Sequence, residues 1–252
     1  MQRYFINESK PDDQQEITLP KDVAHHLVTV LRAQVGSQVE IVLADHRVYL
    51  ATVTATAPAQ VKLVRDLNRD SELPLRVTLL CGLPKTKEKP ELIVQKATEL
   101  GADRIVFFEA ARSISHWAKN KQAKKLARLQ KIADGAAEQS HRNRQPQVAY
   151  YPSLPTALAA SAADQRVVAW EESAKQGETS ALHQVLTKMT PGQSLLAVFG
   201  PEGGLTSQEV GQMQDAGVIP VGLGPRILRT ETAPLYFLAA VSYASELTVT
   251  HR

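Results

Sequence analysis

The sequence predicts an α/β protein, with a small strand-rich segment first and then a largely parallel sheet covered by helices on both faces. Three observations carry this. Before residue 68 the apolar residues fall in short β-branched runs, and after residue 74 strand-like and helix-like runs alternate. Between them lies Asn68-Arg69-Asp70-Ser71-Glu72-Leu73-Pro74, polar, unpatterned and closed by proline. Alternation of strands and helices builds a parallel sheet, because each crossover helix covers one face of it. The domain boundary is therefore expected between residues 1–72 and residues 73–252.

In chain order, Glu16-Ile17-Thr18-Leu19 reads as a strand ended by Pro20, and Val23, Leu27, Val30 and Leu31 recur at helical spacing up to Gly36. Residues 39–43, 48–56 and 61–67 are three further strands, split by Asp45-His46-Arg47 and Ala57-Pro58. So many short strands predict a small barrel or half-open sheet. Beyond the boundary, residues 75–83 read as a strand and 91–100 as a helix with Gly101 at its C-terminal cap. Residues 104–108, 166–170 and 195–199 are strands; 121–140, 206–216 and 232–247 are helices. Residues 151–165 and 171–194, rich in Ala, Ser and Thr, give only a weak pattern.

Composition narrows the function classes. No apolar run approaches the roughly 18 residues of a membrane span, and Met1-Gln2-Arg3-Tyr4-Phe5 opens without the apolar stretch of a secretory signal. A cytoplasmic location is expected by elimination. The one cysteine, Cys81, excludes an internal disulfide and a cysteine-rich zinc site, and its apolar setting reads as core. No set of His, Cys and carboxylates has metal-ligand spacing, so no metal is expected. A net charge of +3 does not announce a nucleic-acid protein, but the distribution is uneven. Residues 119–144 carry eight Lys/Arg against Asp134 and Glu138, whereas residues 1–67 carry seven Lys/Arg against eight Asp/Glu. The basic stretch reads either as a surface for nucleic-acid phosphates or as a solvated helix face.

Ligands of open parallel sheets bind beyond the carboxyl ends of the strands. Two loops there are unusual. Gly200-Pro201-Glu202-Gly203-Gly204-Leu205-Thr206 follows a strand, and Thr206 with Glu209 has capping-box spacing. Its glycines permit close backbone approach to a ligand. Yet it lacks both the lysine of a Walker loop and dinucleotide G-x-G-x-x-G spacing, so a ligand loop and a plain tight turn both remain open. The second loop runs from Gly222 through Leu223-Gly224-Pro225-Arg226-Ile227-Leu228-Arg229-Thr230-Glu231 to Thr232-Ala233-Pro234. Its apolar residues beside backbone groups suit a flat heterocycle; alternatively Glu231 complements the helix dipole with Arg229 as its surface partner. A third element, Glu138-Gln139-Ser140-His141-Arg142, reads as an acid, an amide and a guanidinium for RNA, or as a frayed polar helix end.

Taken together these residues resemble, over nearly the whole chain, the RsmE family of 16S ribosomal RNA uridine-N3 methyltransferases in the SPOUT superfamily. The matching stretches are Arg3-Tyr4-Phe5, His25-His26-Leu27, Val30-Leu31-Arg32, Val35-Gly36, Lys85, and Gln95-Lys96-Ala97-Thr98-Glu99-Leu100-Gly101. Further along come Arg112-Ser113, Glu138-Gln139-Ser140 with Arg142, Gly200-Pro201-Glu202-Gly203-Gly204, and Leu223-Gly224 with residues 228–233. The resemblance implies a PUA-like RNA-binding barrel followed by a parallel α/β domain whose C-terminal chain forms a trefoil knot, paired as a homodimer. It implies S-adenosylmethionine as cofactor and N3 of one uridine in 16S ribosomal RNA, within the small ribosomal subunit, as acceptor. Where the family often has an acid before Arg-Ser, this chain has Ala110-Ala111, so that role is not placed here, and His141 is not taken as a general base.

Methyl transfer from a sulfonium gains most from alignment and apolar enclosure, while the N3 proton needs an acceptor or cationic stabilisation of the uridine anion. The expected catalytic set is Arg142 with Gln139 as donors, and Glu138 or Glu231 as the acid. The cofactor is expected on Phe199, Gly200, Pro201, Glu202, Gly203 and Gly204, and on Leu223, Gly224, Ile227, Leu228, Arg229, Thr232 and Ala233. RNA is expected on Arg3, Arg32, Lys85, Arg112, Lys124, Lys125, Arg128 and Arg144. Two rivals remain. A non-catalytic ribosome-assembly factor would not bind S-adenosylmethionine, and a nucleotide-dependent α/β enzyme would use residues 200–204 for phosphates.

Overall fold

Strand-forming runs in the first 70 residues assemble into one five-stranded sheet. The computed structural model describes residues 1–11, 16–172 and 180–248. Its chain forms two compact units, one of residues 1–72 with 137–144, the other of residues 73–136 with 145–252. In the first, β1 (Arg3–Phe5), β2 (Glu16–Thr18), β3 (Gln38–Val42), β4 (Val48–Thr56) and β5 (Ala59–Asp66) lie in the order β1-β3-β4-β5-β2. β1 runs parallel to β3, and the other pairs are antiparallel. Tyr4, Ile17, Leu27, Val39, Ile41, Tyr49, Val53 and Val61 form the core. The helix expected near Val23 is present as α1 (Lys21–Ala24) continued by a wide turn over His25–Val30.

In the second unit six strands form an entirely parallel sheet. These are β6 (Arg76–Gly82), β7 (Arg104–Phe108), β8 (Gln147–Tyr151), β9 (Gln165–Ala169), β10 (Ser194–Phe199) and β11 (Ile219–Val221), in the order β11-β9-β10-β6-β7-β8. Period-2 alternation divides the strands between two cores. Val77, Leu79 and Cys81 of β6 with Leu195, Ala197 and Phe199 of β10 face one core, and Leu80, Leu196 and Val198 face the other. The first core is closed by α2 (Glu88–Glu99), α3 (Lys119–Gln139), α5 (Ala181–Lys188) and α7 (Thr232–Ser242). The second is closed by α4 (Leu154–Ala159) and α6 (Ser207–Asp215). Helices on both faces follow, as expected.

Cys81 is buried in this core, and burial pushes its thiol up to about 12, so it stays protonated as a small hydrophobe. Gly101 closes α2 with φ +94, a conformation open to glycine, and its amide donates to the Thr98 carbonyl. β1, β8 and β11 were not expected: they are three to five residues long, with polar or bulky residues that blur any alternation. Residues 173–179, part of the weakly patterned stretch, lie outside those described.

Candidate active site

Every loop leaving the carboxyl ends of β6, β7, β9, β10 and β11 is on one rim of the parallel sheet, where a ligand cleft is expected. A cleft of about 690 Å³ is there. It is walled by residues 199–205 after β10 and by residues 223–230 with Ala233, leading into α7, and Ala169 and Trp170 close it at the end of β9. All the expected cofactor residues line it except Thr232, which is exposed at the start of α7.

The first loop is shaped by glycine. The Gly204 amide donates to the Pro201 carbonyl at 2.8 Å, and Gly204 has φ +69. A Cβ on Gly200 would stand 3.1 Å from the backbone of Gly204 and Leu205, and one on Gly82 would meet Pro201 at 2.4 Å. The loop thus folds on itself and against the end of β6 where no side chain fits. Its exit is the expected capping box: Thr206 Oγ1 accepts from the Glu209 amide, and Glu209 Oε2 accepts from the Thr206 amide. The other Glu209 oxygen accepts from Ala111 N, fixing the loop after β7 beside this turn. Arg112 reaches the same loop, donating to the Gly203 carbonyl at 3.3 Å.

Both loops are tied together by a residue the sequence did not single out. Lys89, in the first turn of α2, donates to Glu202 Oε1 at 2.8 Å and lies 3.2 Å from Glu231 Oε2. Glu231 therefore pairs with Lys89, not with Arg229. Hydrogen bonding to Glu202, and then Glu231, holds Lys89 above the usual lysine range despite partial burial. Burial would lift the Glu202 carboxyl, but Lys89 and the Lys85 amide bring it below its ordinary value. The only available signal was position, since Lys85, Lys87 and Lys89 crowd the first turn after β6. Trp170 was likewise legible only as the residue ending a strand on the binding rim.

The expected catalytic set does not assemble within either unit. Glu231 is in the second unit; Glu138, Gln139 and Arg142 are in the first. Arg142 is 2% exposed, and its Nε donates to both Glu72 oxygens at 2.9 and 3.0 Å, with a closer contact through Nη2. The amides of Asn143 and Arg144 also donate to Glu72, making it the anchor of this segment. A buried guanidinium held this way is a structural member of this segment. Gln139 is exposed and Glu138 half-buried.

Arg3 is held in the same way. It is 2% exposed, bonded through Nε to Glu40 Oε2 at 2.9 Å and through Nη1 to the carbonyls of His141 and Arg142, so RNA cannot reach it in this conformation. His141, at φ 56, points Nδ1 at the same Glu40. The other expected RNA residues, Arg32, Lys85, Arg112, Lys124, Lys125, Arg128 and Arg144, are exposed, and Arg128 pairs with Glu91 at 2.7 Å. Among the described residues no group of His, Cys and carboxylates could hold a metal, and no helix is long and apolar enough to cross a membrane.

The second unit's parallel sheet with its glycine-shaped rim cleft falls within an RNA methyltransferase domain, and the small β unit before it holds a PUA domain. The RNA methyltransferase domain model matches residues 71–242, and the RNA methyltransferase PUA domain model matches residues 19–64. The chain belongs to the ribosomal RNA small subunit methyltransferase E family. It is 43% identical to the Bacillus subtilis member over 98% of both chains, and 35% identical to the Mycobacterium tuberculosis member over 94% of this chain and 90% of that one. Among solved structures it is similar to the Neisseria gonorrhoeae member bound to S-adenosyl methionine, with TM-score 0.80, 29% identity, and coverage of 96% of this chain and 97% of that one. A Legionella pneumophila methyltransferase with bound cofactor has the same TM-score and coverage at 26% identity.

Proposed function

We propose that this chain transfers the methyl group of S-adenosylmethionine to N3 of a uridine in 16S ribosomal RNA, within the small ribosomal subunit. The observation that carries the reading is the rim cleft, built by both loops expected to hold the cofactor, in a chain belonging to this family. The residues fit that cofactor. The cleft falls within the roughly 300–1,000 Å³ of small-molecule sites, and the glycine cradle lets backbone approach the ligand. Phe199, Leu205, Leu223 and Leu228 give it apolar walls. When bound, S-adenosylmethionine supplies the methyl group on a sulfonium.

This chain's own residues enclose and orient. The Lys89 bridge fixes the spacing of the two loops, so alignment supplies much of the acceleration. Glu231 is the acid of the expected set that belongs to the cleft's own loop, and it is our candidate to accept the N3 proton. Gln139 and Glu138 remain proposed contacts to the uracil, with Arg142 supporting them from within the first unit.

The reading extends to assembly. Tyr236, Tyr243 and Leu247 share one side of α7 and the turn after it, Tyr243 at 62% and Leu247 at 73% exposure, and Leu92 on α2 is also exposed. We assign this apolar face to a homodimer contact. A trefoil knot over the second loop and a cytoplasmic setting complete the proposal. Calorimetric titration tests the cofactor assignment, and sedimentation of the same sample tests the dimer. S-adenosylmethionine should bind and resist displacement by ATP or NAD. Displacement by either nucleotide would favour a phosphate-using enzyme, and no binding at all would favour the assembly-factor reading.

A further inference from the structure

A second concavity, of about 220 Å³, lies between α2, α3 and the loop after β7. Its floor is apolar, made by Pro84, Pro90, Trp117 and Leu129. Its rim carries Lys85, Lys87, Lys125 and Arg128 against a single carboxylate, Glu91, which Arg128 already holds at 2.7 and 3.0 Å. Among the described residues, Lys87 and Lys125 form no ion pair.

The indole at its floor is 8% exposed and is contacted by Tyr150, Phe107 and Lys125. Trp117 stacks on Tyr150, with centroids 5.0 Å apart and planes at 21°, and its amide donates to Glu109 Oε1 at 3.1 Å. Glu109 also accepts from Tyr150 and pairs with His116. Lys125 Nζ stands 4.8 Å from the Trp117 ring centroid. Burial, and then the like charges of Lys121 and Lys87, lower the affinity of Lys125 for its proton.

We propose that this groove holds one unpaired nucleotide of the RNA substrate, flanking the target base, with its phosphate on Lys87 and Lys125 and its base or ribose over the Trp117–Pro84–Pro90 floor. The inference rests on the methyltransferase reading above. An inorganic anion has no use for the apolar floor, and an apolar peptide has none for unpaired lysines; a nucleotide satisfies both. The volume is below that of a whole small-molecule site, which suits one unit of a longer ligand. The wall is also shared with the cofactor loop. The Lys85 amide donates to both Glu202 oxygens at 3.1 and 3.2 Å, and its carbonyl accepts from Ser115 Oγ at 2.9 Å. The groove therefore adjoins the loop that walls the cleft.

The test uses full-length protein, a fluorescein-labelled unstructured RNA dodecamer and S-adenosylmethionine. The double variant K87A/K125A should lose about tenfold or more in RNA affinity, and its salt slope should fall by about 1, with cofactor affinity unchanged. Trp170→Phe leaves Trp117 as the lone tryptophan, and its emission should change on RNA saturation. RNA affinity within twofold of the parent, with silent Trp117 emission, would overturn the groove while leaving cofactor binding and the methyltransferase reading intact. Parent protein that bound neither RNA nor S-adenosylmethionine would overturn both together.

Discussion

Two carboxylates, buried Glu40 and partly buried Glu72, hold residues 137–144 in the first unit. Glu72 accepts from the side chain of Arg142 and from two successive amides, and Glu40 accepts from Arg3 and His141. Removing one partner of a buried ion pair leaves an uncompensated charge, at a cost of about 3–5 kcal/mol. Arg142→Ala should therefore lower stability by that order, read by urea denaturation. A stable variant that had lost only turnover would return Arg142 to the catalytic set. Acid should act through Glu40. Burial would raise its pKa, but hydrogen bonds and charge from Arg3, and then His141, outweigh it and leave the folded value below the unfolded one. The sign follows: this stabilisation is present above the unfolded carboxylate pKa of about 4.3 and is lost as pH falls toward and through the folded value. Hydrogen-exchange protection of residues 38–42, corrected for intrinsic rate, should fall between about pH 5 and pH 3, and less steeply in Glu40→Gln. Equal slopes would contradict it.

At the scale of elements, the two cleft loops are positioned differently. Residues 200–206 are self-supporting, with a turn, a capping box and glycine contacts that leave no room for a Cβ. The second loop has an exposed Ile227 and Arg229, and its tie to the first comes through the Lys89–Glu231 pair. Lys89→Ala should thus weaken S-adenosylmethionine binding by about tenfold, or about 1.4 kcal/mol, with little change in melting temperature because the residue is a rim group. An unchanged dissociation constant would show that each loop holds its shape alone. Capping-box spacing, the glycine run and the C-terminal cap of α2 were all legible because they are local. The Lys89 bridge was not, because it joins residues more than a hundred positions apart.

For the whole molecule, the same division explains what the sequence reveals. Period-2 runs in β6, β7 and β10 and helical spacing in α2, α3 and α7 are strong enough to predict a parallel sheet covered on both faces. The boundary near residue 72 follows from composition, yet residues 137–144 rejoin the first unit through Arg3, Glu40 and Glu72, which no periodicity records. For that reason nothing local in the sequence marks Arg3 and Arg142 as buried pairs. Charge in a sequence marks where a cation is, and only the fold decides whether an acid awaits it.

The central claim is that the rim cleft of residues 199–205 and 223–233 serves N3-methylation of uridine in small-subunit ribosomal RNA. The most direct measurement supplies labelled S-adenosylmethionine to small subunits lacking the modification and identifies the labelled nucleoside by mass spectrometry. A single N3-methyluridine is the predicted product; label in any other nucleoside, or none with folded and cofactor-bound protein, would contradict the claim.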